Sequence, residues 1–205
     1  MSSHTGSEQA QPRAEALHTG RPRCMKRHRT IQQAALELLE EVGFNSLTIE
    51  GVAARAGVGK TTIYRRYPNK ASLVWASFLE AVEPEIPFPD TGSVKEDLRR
   101  QMRSLIRLFN GPRGRIVATL IGGGQTDGEL IEAFRTQWLA RRREVARKVI
   151  RRGVERGELP EDINADFLLD ALYGPIYMRL LIGHAPLKQS LADKLVEVVL
   201  NGLKR

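Results

Sequence analysis

From Arg29 onward the apolar positions recur at helical spacing. Ile31, Ala34, Ala35, Leu38, Leu39 and Val42 fall at i, i+3, i+4, i+7, i+8 and i+11 and form one stripe. Gly43 follows it and predicts its end, because glycine readily takes the left-handed conformation that closes a helix. Thr48 is placed to cap a second short helix whose inward face is Ile49, Val52, Ala53 and Ala56. Gly57 closes that helix. A third runs from about Lys60 to Tyr67, where Pro68 disfavours helical geometry in the residue before it. A fourth begins near Lys70 and carries Leu73, Val74, Phe78, Leu79 and Val82.

The stretch "EPEIPFPDTGS" then brings three prolines within six residues, a stiff connector. Every later segment reads as helix again, over about 93–110, 112–122, 127–156, 164–184 and 188–203. Pro175 should kink the fourth of these and open space beside Tyr173 and Tyr177. The pattern predicts an all-α protein. Residues 1–25 form a polar, disordered tail, 26–83 a small helical domain, 84–92 a linker, and 93–205 a larger helical domain. The tail turns basic at Arg21, Arg23, Lys26, Arg27 and Arg29, the composition of an arm that touches nucleic-acid phosphates or of a solvated tail.

One octapeptide carries two incompatible chemistries. "ARAGVGKT", Ala54 to Thr61, approximates the Walker A spacing of a phosphate-binding loop, and equally the turn of a helix-turn-helix. A P-loop needs a buried strand delivering its glycines to a helix N-terminus. Here the upstream residues are "LTIEGVAAR", apolar at helical spacing with glutamate and glycine inside, and no convincing Walker B aspartate follows an apolar run. The helix-turn-helix reading explains more residues. Gly57 supplies the turn, Val58 and Ile63 face inward, and Lys60, Thr61, Thr62, Tyr64, Arg65 and Arg66 are left outward on a short helix. Lys and Arg neutralise phosphate, and Thr can bond a base edge or touch a thymine methyl.

Composition agrees with a polyanionic partner. The 205 residues carry a formal net charge of +8, with a sequence pI near 10.0. A single cysteine, Cys24, excludes an intrachain disulfide and suits a reducing compartment. No run approaches the ~20 apolar residues of a membrane span. A cytoplasmic, non-enzymatic protein without cofactor or metal is therefore expected, because His4, His18, His28 and His184 lack the companions of a metal or catalytic site.

The stretch "GFNSLTIEGVAARAGVGKTTIYRRYPNKASLVWA" resembles the N-terminal domain of TetR-type transcriptional regulators over about residues 27–82. The likeness rests on Thr48, the Ala56-Gly57-Val58 turn, Tyr64, the Tyr67-Pro68-Asn69-Lys70 exit and Leu73. It implies that Thr48, Tyr64 and Lys70 grip phosphates, while Lys60, Thr61, Thr62 and Arg65 lie in or beside the major groove. Gly59 stands where the family often has Ser, and Thr61 where it often has Gly. The likeness continues more weakly through "GELPEDINADFLLDALYGPIYMRLLIGHAPL", similar to the ligand-binding and dimerisation domain of one branch.

On that reading the last two helices pair with a second copy. The dimer residues would be Phe167, Leu168, Ala171 and Leu180 on one helix and Leu191, Leu195, Val198 and Val199 on the other. A small, lipophilic ligand would lie among Leu105, Phe109, Leu120, Phe134, Trp138, Leu172, Tyr173, Ile176 and Tyr177. The expected function is a homodimeric repressor on double-stranded, palindromic operator DNA, released by that ligand. The alternatives are a P-loop nucleotide hydrolase and an architectural DNA-binding protein with no ligand.

Overall fold

The computed structural model describes residues 20–202, with side chains from Lys26 onward. Among these residues there are helices, turns and coil but no strand. The elements are α1 (Gly20–Ser46), α2 (Ile49–Ala56), α3 (Lys60–Tyr64), α4 (Lys70–Val82), α5 (Val94–Asn110), α6 (Pro112–Gly123), α7 (Gly128–Ala133), α8 (Ala140–Glu155), α9 (Ala165–Ile182) and α10 (Ser190–Asn201). A 3₁₀ turn at Glu83–Glu85 follows α4, and a π-helical turn at Phe134–Leu139 joins α7 to α8.

One expectation about chain course is corrected. Helix α1 begins at Gly20, so the end of the supposed tail is helical; the disorder expected of residues 1–19 lies outside the described residues. Pro22 is tolerated in a first turn, and no helix breaker follows until Gly43. Gly43, at φ 74 and ψ 172, leaves helical geometry and ends the long first segment of α1 as its place in the pattern predicts, and one short further turn runs to Ser46. Pro175 lies inside α9, whose span continues past it to Ile182.

A single core runs through the whole described chain. Ile31 and Ala35 of α1, Trp75 and Phe78 of α4, Leu98 and Met102 of α5, Trp138, Val149 of α8, Leu172 of α9 and Val196 of α10 all belong to it. Helix α4 joins the two halves. Its Trp75 ring lies 5.1 Å from Phe134 and 5.9 Å from Trp138, and Phe78 lies 5.8 Å from Trp138, centroid to centroid. The proline-rich connector is fastened along its length. Ile86 is fully buried, the Arg152 guanidinium donates to the Pro89 carbonyl at 3.2 Å, and buried Asp97 accepts from the Thr91 backbone N–H and hydroxyl at 2.8 and 2.7 Å.

Candidate DNA-binding surface and regulatory cavity

The helix-turn-helix is built by local caps. Thr48 is extended at φ −126, ψ 152, and its Oγ1 accepts from the Gly51 N–H at 3.0 Å, which starts α2. Gly57, at φ 64 and ψ 37, ends it in the left-handed conformation. The Val58 N–H reaches back to the Ala53 carbonyl at 3.0 Å, the signature of a Schellman closure. Gly59 then turns the chain into α3 with no side-chain cap. Ile63, fully buried, is the nail that holds this five-residue helix on the core.

That arrangement leaves Lys60, Thr61, Tyr64, Arg65 and Arg66 exposed and Thr62 half-buried. Tyr64 is 49% exposed, high for a tyrosine. Thr48 is exposed at the start of α2. "ARAGVGKT" thus straddles the end of α2, a three-residue turn and the first two residues of α3, with no strand feeding it. Lys60 Nζ lies 2.9 Å from Glu50 Oε1. Their hydrogen bond, with their opposite charges, raises the lysine pKa and lowers that of the glutamate. Glu50, the glutamate that breaks the apolar run ahead of the turn, was not anticipated as a partner of Lys60, because their i, i+10 relation is not a local-helix spacing that would reveal the pair.

Lys70 occupies a different place from the one its family position suggests. Its Nζ donates to the Phe44 carbonyl at 2.9 Å and the Asn45 carbonyl at 3.4 Å, and lies 4.3 Å from the Phe44 ring centroid. It caps the turn that Gly43 creates. Buried Tyr67 shares a hydrogen bond of 3.2 Å with His28 Nδ1, while Glu80 of α4 lies 3.7 Å from His28 Nε2 and accepts from Gln32 at 2.7 Å. Burial, with the charge of Arg66, lowers the His28 pKa below its ordinary value, and Glu80 opposes that shift.

In the larger half a small, partly enclosed cavity of about 50 Å³ lies between α5, α8 and α9. Leu105, Trp138, Tyr173 and Tyr177 of the expected ligand set wall it. Phe109 and Phe134 stand behind Tyr177, with centroids at 5.4 and 6.3 Å. Leu172 and Ile176 are fully buried core residues. Leu120 lines a separate, open cleft of about 1070 Å³ between the end of α1, α5 and α6. The cavity's polar members, Gln101, Arg142 and Arg143, carried no periodic signal and were missed. Tyr173 donates its hydroxyl to Gln101, and Trp138 Nε1 donates to the Tyr177 hydroxyl at 2.7 Å. Burial raises the Tyr173 pKa and pushes that of Tyr177 up to about 12, so both phenols keep their protons.

The opposite side of α9 is apolar and uncovered. Of seven large apolar side chains exposed among the described residues, five are Phe167, Met178, Leu181, Ile182 and Val198 on α9 and α10. Phe167 and Val198 are each 71% exposed. Leu168 is corrected out of the expected dimer set: at 1% exposure it faces the subunit's own core, one position around the helix from Phe167. Ala171, Leu180, Leu191, Leu195 and Val199 are half-buried at the edges of the exposed face. Among the described residues no helix is long and apolar enough to cross a membrane.

Two family models match the chain: "Bacterial regulatory proteins, tetR family" over residues 31–76 and "Tetracyclin repressor-like, C-terminal domain" over residues 88–199. The HTH-type transcriptional regulator YdeS of Bacillus subtilis is 37% identical over 185 residues, covering 90% of this chain and 93% of its own. The DNA-binding transcriptional repressor TetR of Mycobacteroides abscessus is 30% identical over 176 residues, covering 85% and 92%. The crystal structure of the TetR family transcription regulator SCO0332 superposes with a TM-score of 0.76 at 37% identity, covering 87% of this chain and 98% of that one.

Proposed function

The chain belongs to the TetR family of DNA-binding transcriptional regulators, and from that premise we propose that it is a homodimeric repressor that leaves a palindromic operator when a small molecule occupies the cavity beside Trp138. The observation that carries this reading is the construction of α4. Its cap Asn69 and first residue Lys70 close the helix-turn-helix unit, and its Trp75 and Phe78 pack on Trp138, a wall of the cavity. A ligand that displaces Trp138 therefore pushes on the helix that aims α3.

At about 50 Å³ the cavity is far below the roughly 300–1,000 Å³ of ordinary ligand pockets, so ligand binding requires its walls to part. A ligand that binds the parted state better than the closed one shifts the population toward it and, by linkage, weakens DNA. The cleft near α1 is larger and also has apolar lining, but it is more open to solvent and does not touch the Trp75–Trp138 contact that leads to α4. The exposed face of α9 and α10 pairs with the same face of a second copy, which sets two α3 helices on one side of the duplex, roughly 34–36 Å apart.

Selection of binding sites from genomic fragments with the purified protein tests the proposal. A palindromic site with half-site centres about one helical turn apart is expected. Arg65→Ala should change the preferred base at one position per half-site, at a cost of ~1–3 kcal/mol for the original sequence. Enrichment of no common sequence, or an unchanged preference in Arg65→Ala and Thr62→Ala, rejects the assignment of α3.

A further inference from the structure

Arg142 stands in the cavity wall without an acid beside it. Its guanidinium donates one N–H to the Ile86 carbonyl at 2.6 Å and lies 4.6 Å from the Phe88 ring centroid. Among the described residues no carboxylate comes within the 4.0 Å of an ion pair. Acids are supplied to its neighbours on the same helix: Arg143 pairs with Asp166 and Asp170, and Arg147 with Asp166 at 2.7 Å. Arg142 is half-buried, and Glu83 acts on its charge from a distance without forming an ion pair, so the guanidinium is partly desolvated with no anion in contact. Burial lowers the Arg142 pKa, yet a guanidinium stays charged at neutral pH.

A second donor faces the same space. The Tyr177 hydroxyl oxygen accepts from Trp138, which leaves its own hydrogen to be donated. Phe88, Leu105 and Trp138 supply apolar wall around the two donors.

We propose that the effector is a monocarboxylate with an aromatic or medium-length acyl body, its carboxylate held by Arg142 and the Tyr177 hydroxyl. This rests on the reading that the cavity is the regulatory site. The present volume accommodates the head group, and the body enters by displacing the rings around it. The geometry also supplies a route outward. Ile86 follows the 3₁₀ turn Glu83–Glu85 that ends α4. A carboxylate that recruits the Arg142 N–H removes it from the Ile86 carbonyl and loosens the end of the helix that positions α3.

The chain's two tryptophans, Trp75 and Trp138, lie 5.9 Å apart at this site and report on it by intrinsic fluorescence. The full chain is titrated with benzoate, phenylacetate and octanoate, and in parallel with benzamide, phenylacetamide and octanamide. At least one acid should change the fluorescence saturably, with its amide binding roughly 10- to 100-fold more weakly. Arg142→Met should abolish that preference and Arg142→Lys should retain part of it, each at unchanged helical circular dichroism; the acid-amide comparison itself needs no variant. Amides binding as tightly as acids, or no response to any acid at millimolar concentration, overturns the proposal. Operator binding is followed separately. An acid that binds without loosening DNA leaves the anion site standing and removes ligand release. Release by neutral compounds alone does the reverse.

Discussion

Lys70 shows how a residue's position in a motif and its contacts in the fold can point in different directions. Its ammonium serves two carbonyls left open by the bend at Gly43, a need that arises only once α1 and α4 are packed together. Lys70→Met should therefore lower stability by about 1–2 kcal/mol, the worth of a charge-assisted bond to a carbonyl, or roughly 2–8 °C in melting temperature. The slope of log K against log salt for DNA should change little; a reduction of about 0.9 would place the ammonium on phosphate instead. His28 gives a pH dependence with a definite sign. Its folded-state pKa lies below the ordinary 6.5, so the unfolded chain takes up the proton first as pH falls. The stability it contributes is complete above about 6.5 and declines as pH drops through and below that value. Urea melts at stepped pH should show a shallower acid-side decline for His28→Gln than for the parent chain.

Among the elements, the turn between α5 and α6 is the least forgiving. A Cβ built on Gly114 would lie 1.9 Å from the Phe109 carbonyl oxygen, a backbone atom that cannot swing away. Gly114→Ala should cost at least about 2–3 kcal/mol and lower the melting temperature by roughly 5–10 °C, whereas Gly128→Ala, with open space around it, should melt near the parent. Thermal denaturation of the two variants decides it. No local pattern in "GPRGR" announces that crossing, because it depends on how two helices meet. The elements that local chemistry does govern were legible. Thr48 and Gly57 bracket α2 as their side-chain and backbone preferences require, and the apolar stripes of α1 and α4 face the core except at Val42, which is 47% exposed at the end of its stripe. Where the outcome depends on neighbours, periodicity under-determined it. Phe167 and Leu168 are equally apolar letters, and only the docking of α9 on α8 and α6 sends one outward and the other into the core. Gln101 and Arg142 were invisible for the related reason that a polar residue inside a cavity breaks no helical pattern.

At the scale of the whole molecule, the uncovered face of α9 and α10 and the cavity lie on connected structure. Phe167, Met178 and Ile182 line the outer side of α9 while Tyr173 and Tyr177 wall the cavity from the same helix. In the proposed dimer a second copy seated on that face would hold α9 still, so that a ligand parting the cavity would move α4 and the connector more readily than the dimer. Dimerisation is then a condition for switching as well as for spanning two half-sites. Val198, at 71% exposure, makes no contribution to its own subunit's core, so Val198→Glu should leave the fold intact and place a charge in the shared face. Sedimentation equilibrium should show the parent as a dimer and the variant as a monomer, with helical circular dichroism unchanged. The monomer should bind the palindromic operator no better than random DNA of equal length, since one α3 reaches only one half-site, while still showing the saturable tryptophan response to a ligand. A variant that stays dimeric and operator-specific would move the interface off α10. A monomer that still discriminates the palindrome would mean that one α3 reads enough sequence alone.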